Sequence, residues 1–525
     1  MAVGGSFLPH AAASQLPHSA AGGNVAVTQY RNGNAHTGQY THETILNQSD
    51  VTVSKFGKRV SYPVDGQMYA QPVYVPHLTI RGKVRNVVFA ATENDTVYAF
   101  NADATKTIAP LWETSLLPAG AAAVPGPCGD LLPVVGITST PVIDLKTQTM
   151  FVVTYDLEHG IDVYRLHALN IVTGKDRSSP IVIRGSAPGT GAGSSNGRIT
   201  FNAQLERQRD ALVLANGQVY IAFSSFCDIG NYHGFIFSYS YSGSAFTRVK
   251  IYDDTPNGSQ GGIWGSGGAL AANSTGTLYY MSGNGTFDAN TGGKDMGDSF
   301  VQLNASLQRT EYFTPFNQLC LAQGDVDLGS GDPLVLQSAN VLIGAGKEGR
   351  PYVVSTAHMG GYTSDPQLQC GTSSADVTNI DKVQQELPPG TVAPCFMTPG
   401  YWNGGASGQS VYFTGQGSPT QAFAWSNGKL SAKPTSTTSD ANGGDPIVSS
   451  DGTTAGTAVL WVLDGGAVLH AYDPANLSKE FWNSNQDPSR DGVSGYVKFT
   501  SPVVAHGRVF TGLSSSLAIF GLLPK

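Results

Sequence analysis

The sequence predicts an all-β fold, a β-propeller of eight four-stranded blades closed into one ring. Three observations carry this. Only 13% of the 525 residues are charged and 64 are glycine, and Tyr, Phe, Thr, Ser and Val abound, a mixture that favours short strands and glycine turns over helices. One unit of about 40–65 residues recurs along the chain, which is the signature of a propeller. The last copy stops one strand short, and a segment near the N-terminus can supply that strand.

Each unit opens with a short "xPV" strand, continues with an alternating apolar strand, turns at a polar or glycine pair and runs into a strand like "VYAF". The first and clearest copy is "AQPVYVPHLTIRGKVRNVVFAATENDTVYAFNADATKTIAPLWETSLL". In it "NVVFAAT" and "TVYAFNA" flank a turn at Glu93-Asn94-Asp95, and Trp112 opens the outer strand. "STPVIDLKTQTMFVVTYDLEHGIDVYRLHALNIVTGK", "RDALVLANGQVYIAFSSFCDIGNYHGFIFSYS" and "IWGSGGALAANSTGTLYYMSGNGTFD" begin copies two to four. "DPLVLQSANVLIGAGKEGRPYVVS", "YWNGGASGQSVYFTGQGSPTQAFAWSNGKL" and "DPIVSSDGTTAGTAVLWVLDGGAVLHAYDPANLSKEFW" are the next three. The eighth is "TSPVVAHGRVFTGLSSSLAIFGLL". Copies three and five diverge, so seven blades is the alternative count. "VTVSKFGKRVSYPV" alternates like an outer strand, and residues 53–64 are expected to pair with 516–523, which removes the free sheet edge. The expected organisation is an N-terminal extension at 1–50 and one domain at 51–525, with inserts at 176–207 and 362–397.

Charge and composition exclude several functions. A net charge of −8 without a Lys/Arg run argues against nucleic acid or an anionic membrane as partner. No stretch reaches the roughly 18 apolar residues of a membrane span. A small molecule is the expected partner, with the oligomeric state open. The leader "AVGGSFLPHAAASQLPHSAAGG" has no basic start or apolar core, and reads as a mature terminus. Low charge and sequons at Asn47, Asn94, Asn257, Asn273, Asn284, Asn304 and Asn476 point to a secretory route. Five cysteines with no metal-finger spacing leave Cys370–Cys395, which bracket a Pro/Ser/Thr-rich insertion, as the expected disulfide. Alternatively, all five are buried thiols.

The repeated "PV…VYAF…LW" unit resembles the quinoprotein alcohol dehydrogenase-like propellers over nearly all of the chain after residue 50. In that family pyrroloquinoline quinone (PQQ) lies between a tryptophan and a disulfide of adjacent cysteines. Its calcium is held by Glu, Asn and Asp, and an Asp acts as base. By resemblance, Asp228 in "FCDIGNYHGF" takes the place of the calcium Glu, and Asn284 in "YYMSGNGTFD" the asparagine ligand. Asp325 and Asp327 in "GDVDLGS" fall near the carboxylate pair, Lys347 in "GAGKEGRPYVV" near the quinone contact, and Trp264 in "GGIWGSGG" at the tryptophan. "GPCGDLLPVVG" keeps one cysteine of the adjacent pair, Cys128, with Gly129 in place of the other, and no arginine in the loop. Cys128 is therefore expected to be unpaired and the quinone clamp absent.

Each candidate has a plainer alternative. Asp228, Asn284, Asp325 and Asp327 offer hard oxygens that suit Ca²⁺, with Asp228, Asn284 and Asp325 as the expected metal set. Asp and Asn beside Gly are also ordinary turn formers. Lys347 beside Glu348 suits a channel cation or a surface pair. Trp264, Phe287, Tyr232, Asn284, Tyr401, Trp402 and, in the loop before the first blade, Gln71 are expected to bind substrate, the alternative for the aromatics being packing between blades. His233 and His167 suit acid–base work or structural hydrogen bonds. "GSSNG" at 193–197 matches a nucleophile elbow, but no strand-to-helix turn surrounds it.

Three functions follow from this reading. The expected one is an enzyme that keeps the propeller pocket without the quinone and accelerates a cyclisation by orientation. By class rather than motif, this resembles the fungal hetero-Diels–Alderases of tropolone sesquiterpenoid biosynthesis. Asp228, Asp325, Asp327, Lys347 and His233 would be its polar groups, with no cofactor. The alternatives are a PQQ- and Ca²⁺-dependent alcohol dehydrogenase and a non-catalytic binding propeller.

Overall fold

Alternation in the first copy folds as its pattern requires. Strand Lys83–Ala91 pairs antiparallel with Thr96–Asn101 across the turn at Glu93-Asn94-Asp95, and Trp112–Ser115 forms the outer strand. The same arrangement recurs around the ring in this computed structural model, which describes residues 25–268, 270–370 and 380–524. Eight sheets form eight blades, whose innermost strands begin at Val73, Val142, Val213, Ala271, Leu334, Gly400, Ile447 and Val503. Copies three and five, despite their divergence, are complete blades.

Successive blades are held together by apolar side chains from their facing sheets. One core cluster joins Val152 and Ile143 of blade two to Phe89 and Val97 of blade one. Another joins Trp461 and Trp482 of blade seven to Phe520 and Val509 of blade eight. Each large side chain buried in this way contributes roughly 1.5–3 kcal/mol. The ring closes as expected. Phe56–Pro63 is the fourth strand of blade eight, antiparallel to Ser516–Leu522, with Phe56 opposite Leu522 and Pro63 opposite Ser516.

Residues ahead of that strand thread the centre of the ring. The Val27 N–H donates to Tyr74 O in blade one, and Thr28 O accepts from Ile143 in blade two. The Asn34 side chain donates to Leu214 O in blade three. Asn34 O, Ala35 O, Thr37 O and Gly38 O accept from Ala272, Val335, Tyr401 and Val448 in blades four to seven. Glu43 accepts from Gly507 N–H in blade eight at 2.9 Å. The segment thus visits all eight blades in chain order, and Gln39–Tyr40 adds a parallel strand to blade seven. The first 24 residues of the extension, and 371–379 of the second insert, lie outside the described residues.

Both inserts contribute strands. Ile181–Val182 completes blade two and Gln385–Glu386 completes blade five, while Ser186–Pro188 and Arg198–Thr200 form a separate hairpin.

The cysteine expectations are corrected. Cys370 bonds Cys320, not Cys395, and Cys128 is not free but bonds Cys227. Cys395 is the buried free thiol, its pKa pushed up to about 12 by burial. The reason lies in the ring. Cys395 sits at a bridge to Gly415 of blade six, while Cys370 lies against the short helix Gln318–Gln323 that carries Cys320. Cys227 is 99 residues from Cys128 in sequence, and closure brings the two loops together.

Candidate functional site

In a propeller, the loop entering each innermost strand and the hairpin joining the second and third strands emerge at the same end of the ring. A cavity of about 620 Å³ opens there, within the size range of small-molecule sites. Asp130, Arg209, Trp264 and Asp327 reach it from entering loops of blades two to five. Asp228 and Lys347 reach it from hairpins of blades three and five. Phe396, Met397, Tyr496 and Phe499 add apolar wall, and Cys227 brings the edge of its disulfide.

Four of the expected residues line this cavity: Asp228, Trp264, Asp327 and Lys347. Lys347 is anchored on two carboxylates, at 2.8 Å from Asp325 Oδ1 and 2.6 Å from Asp327 Oδ2. Burial alone would lower its pKa, but these carboxylates outweigh it and hold the ammonium charged. The loop backbones are locked as well, since Lys347 N–H donates to Asp327 O at 2.9 Å. A Cβ on Gly346 would come within 2.5 Å of that same oxygen, so glycine permits the approach.

Asn284 joins this group from the blade-four hairpin. Its N–H donates to Asp327 Oδ1 at 2.8 Å and its Nδ2 to Asp325 Oδ1 at 3.2 Å. Its Oδ1 is buried with no hydrogen-bond partner, as is Trp264 Nε1. Asp228 accepts from the Tyr232 hydroxyl. Burial raises the Asp228 pKa, and the carboxylates of Asp327 and Asp325 add to it. Tyr232 itself is fully buried and meets Trp264 edge-on, with ring centroids 6.3 Å apart.

The remaining expected residues sit elsewhere. Both ring nitrogens of His233 are spent, Nδ1 on Thr255 Oγ1 at 3.0 Å and Nε2 on Ala192 O at 2.9 Å, with Asp253 at 3.4 Å. His167 lies between Thr154 and Asp176. Gln71 accepts from Arg31 N–H at 2.9 Å and so serves the central segment. Phe287 packs on Tyr312 and Tyr362, while Tyr401 and Trp402 pack between blades five to seven.

The opposite wall is built by charged residues that were not among the expected ones, although one of its loops, 128–139, was expected at the pocket. Asp130 receives Arg207 Nη1 on one oxygen and Lys498 Nζ on the other, with Arg209 Nη1 at 4.0 Å. These cations hold the Asp130 pKa below the usual carboxylate range against its burial. The loop at 126–136, which carries no arginine of its own, thus receives two from blade three. A signal was present: "RQRD" at 207–210 places three charges in four residues of a sparsely charged chain.

Among the described residues no three His, Cys, Asp or Glu side chains converge closely enough to hold a metal ion. A cation here would therefore depend on the amide oxygen of Asn284. That unpartnered oxygen and the nearby carboxyl of Asp228, which feels the Asp327 charge, are hard donors of the kind Ca²⁺ or a lanthanide takes. Asp325, expected as the third ligand, has a 73% exposed side chain bound to Lys347, and Asp327 is the buried carboxylate of the two. For a planar anionic quinone, the cavity offers the Trp264 indole, the Cys227 sulfur and the Lys347 ammonium. On these observations the residues fit both groups.

Comparison with known proteins bears out the fold. No family model and no curated protein matches the chain. Among solved structures, europium-containing methanol dehydrogenase superposes with a TM-score of 0.61 at 12% identity, covering 95% of this chain and 98% of that one. The quinohemoprotein alcohol dehydrogenase of Comamonas testosteroni gives 0.59 at 13% identity over 94% and 80%. ADHIIG of Pseudomonas putida HK5, also a quinohemoprotein alcohol dehydrogenase, gives 0.57 at 14% identity over 96% and 81%. At these identities the likeness establishes a shared eight-bladed β-propeller architecture.

Proposed function

We propose that the cavity is the site of a quinone- and cation-dependent oxidation of a small alcohol. The observation that carries the reading is the buried, unpartnered Asn284 Oδ1 beside Asp327 and Lys347. A buried polar atom without a partner costs free energy unless something satisfies it. A hard cation would do so, with Asp228 as a further protein ligand, which leaves Asp327 to act as the base. A bound quinone would supply the two-electron acceptor. Asp327, facing the cavity, would accept the proton of a substrate hydroxyl, and the Lys347 ammonium would stabilise the resulting charge. Trp264, Phe396 and Met397 would exclude water from the apolar part of the substrate.

A second reading rests on those same apolar walls, which suit a cofactor-free cyclisation by orientation alone. One experiment separates the two. Chelator-stripped protein is incubated with primary alcohols and an artificial electron acceptor, with and without PQQ and Ca²⁺ or La³⁺. The redox reading expects turnover only when quinone and cation are both present, and its loss in Asp327→Ala. Absence of quinone binding, together with cyclisation of a polyene by the stripped protein, would overturn it in favour of the second reading.

A further inference from the structure

We propose that the wall opposite Lys347 is a carboxylate-binding subsite, built by Arg209 and Lys498 and backed by Arg207. The first ground is a count of donors. A guanidinium carries five N–H donors and an ammonium three. Arg207, with a fully buried side chain, uses Nη1 on Asp130 and leaves Nε and Nη2 buried without partners. Arg209 makes one hydrogen bond among the described residues, from Nε to Trp264 O at 3.1 Å. Among the described residues, Asp130 is thus the one carboxylate ion-paired with all three cations.

The acids behind Arg209 neutralise the wall only in part, Asp332 being an anion that acts on Arg209. Asp332 accepts from Ser266 N–H, Gly268 N–H and the Thr398 hydroxyl. Asp210 has both oxygens buried without a partner, and burial pushes its pKa up, towards the neutral acid. Three cations, Arg207, Arg209 and Lys498, thus face two anions, Asp130 and Asp332, and positive charge is in excess at this end of the cavity. At the other end, Lys347 is outnumbered by Asp325, Asp327 and Asp228.

The second ground is the frame around the cations. The Arg209 guanidinium lies over the Phe499 ring at 4.4 Å and 5.9 Å from the Trp264 ring, and Lys498 Nζ lies 5.2 Å from the Phe499 ring. Aromatic faces hold these cations without neutralising them. A fork of fixed guanidinium donors beside an apolar face matches a planar carboxylate attached to an unsaturated or aromatic body.

A carboxylate here has two sources: the acidic groups of a quinone cofactor, or those of a hydroxy-acid substrate. The test uses simple probes on the intact chain. Benzoate and its uncharged analogue benzamide are titrated calorimetrically at low and high NaCl. Benzoate is expected to bind and to weaken with salt, and benzamide to bind at least tenfold more weakly. Lys498 has a 37% exposed side chain, so Lys498→Met should fold and should weaken benzoate about tenfold. Arg209→Lys keeps the charge and loses the fork, and should also weaken it. Equal affinity for both probes, or wild-type benzoate affinity in folded Lys498→Met, overturns the proposal. A titration after saturation with PQQ assigns the source: displacement of benzoate gives the subsite to the quinone, and joint binding gives it to the substrate. If PQQ fails to bind while benzoate binds, the redox reading falls and this subsite stands.

Discussion

Gly283 precedes Asn284, and a Cβ there would come within 2.5 Å of Trp264 Cδ1 and 2.6 Å of Asp327 Oδ1. The close approach of three loops at the cavity therefore requires glycine at this position. Gly283→Ala should cost about 1–3 kcal/mol in denaturant unfolding, the usual penalty of overpacking. Gly129→Ala, which meets nothing within 4 Å, should stay within about 0.5 kcal/mol and serves as the control. Asn284→Ala should behave in the opposite way. It removes a buried unpartnered oxygen, so stability should barely change, while Ca²⁺ or Tb³⁺ affinity in calorimetry falls at least tenfold. Unchanged cation affinity would remove Asn284 from the site. At this scale Asn284, Asp327, Lys347 and Trp264, although they come from four separate loops, were legible because each sits in a short motif that resembles a quinoprotein one. Asp130, Arg207, Arg209 and Lys498 act together from three distant loops, and no local pattern could join them. The two disulfides were illegible for the same reason.

The strand periodicity was readable because each strand buries one or both faces against a neighbouring blade, which forces alternation or an apolar run. The closing strand Phe56–Pro63 was readable on the same ground. The segment before it was not, because its backbone pairs with a different blade every one to several residues and shows no period. Its anchor is Arg31, fully buried, which donates from Nη2 to Pro399 O at 3.0 Å and Pro446 O at 2.9 Å and from Nε to His36 O at 3.3 Å. Tyr30 beside it donates to Asp445 at 2.9 Å, and Asp445 lines the cavity. Arg31 Nη1 also lies 3.8 Å from Asp445 Oδ2, so Arg31→Ala removes this cation and frees three carbonyls, and should cost about 3–5 kcal/mol by thermal or denaturant unfolding. Deleting residues 1–64 also exposes the edge of Ser516–Leu522 and should give aggregated protein on size-exclusion chromatography. A soluble truncation with wild-type stability would mean that neither the segment nor the closing strand holds the ring together.

Over the whole ring, packing many short strands so tightly leaves several carboxyl groups away from water. Burial pushes Glu93 and Asp445 up to about 7, and Glu206, Asp254 and Asp381 up to about 8, from ordinary values of 4.5 for Glu and 3.8 for Asp. Each folded value lies above its unfolded one, so between about pH 4 and pH 8 the folded chain holds protons that the unfolded chain has released. Stability from these groups is complete below the unfolded values and is lost as pH rises through 7 to 8. Asp130, whose pKa is depressed by Arg207 and Arg209 despite burial, works the other way and loses its contribution only at acid pH below the usual carboxylate range. The melting temperature should therefore be highest near pH 5 and fall by several degrees between pH 5.5 and pH 8.5. Glu206→Gln keeps the size and removes the titration, so it should flatten that slope in scanning calorimetry. A melting temperature that rises from pH 5.5 to pH 8.5 would show that these buried acids are ionised in the folded ring and are paid for by contacts other than those described.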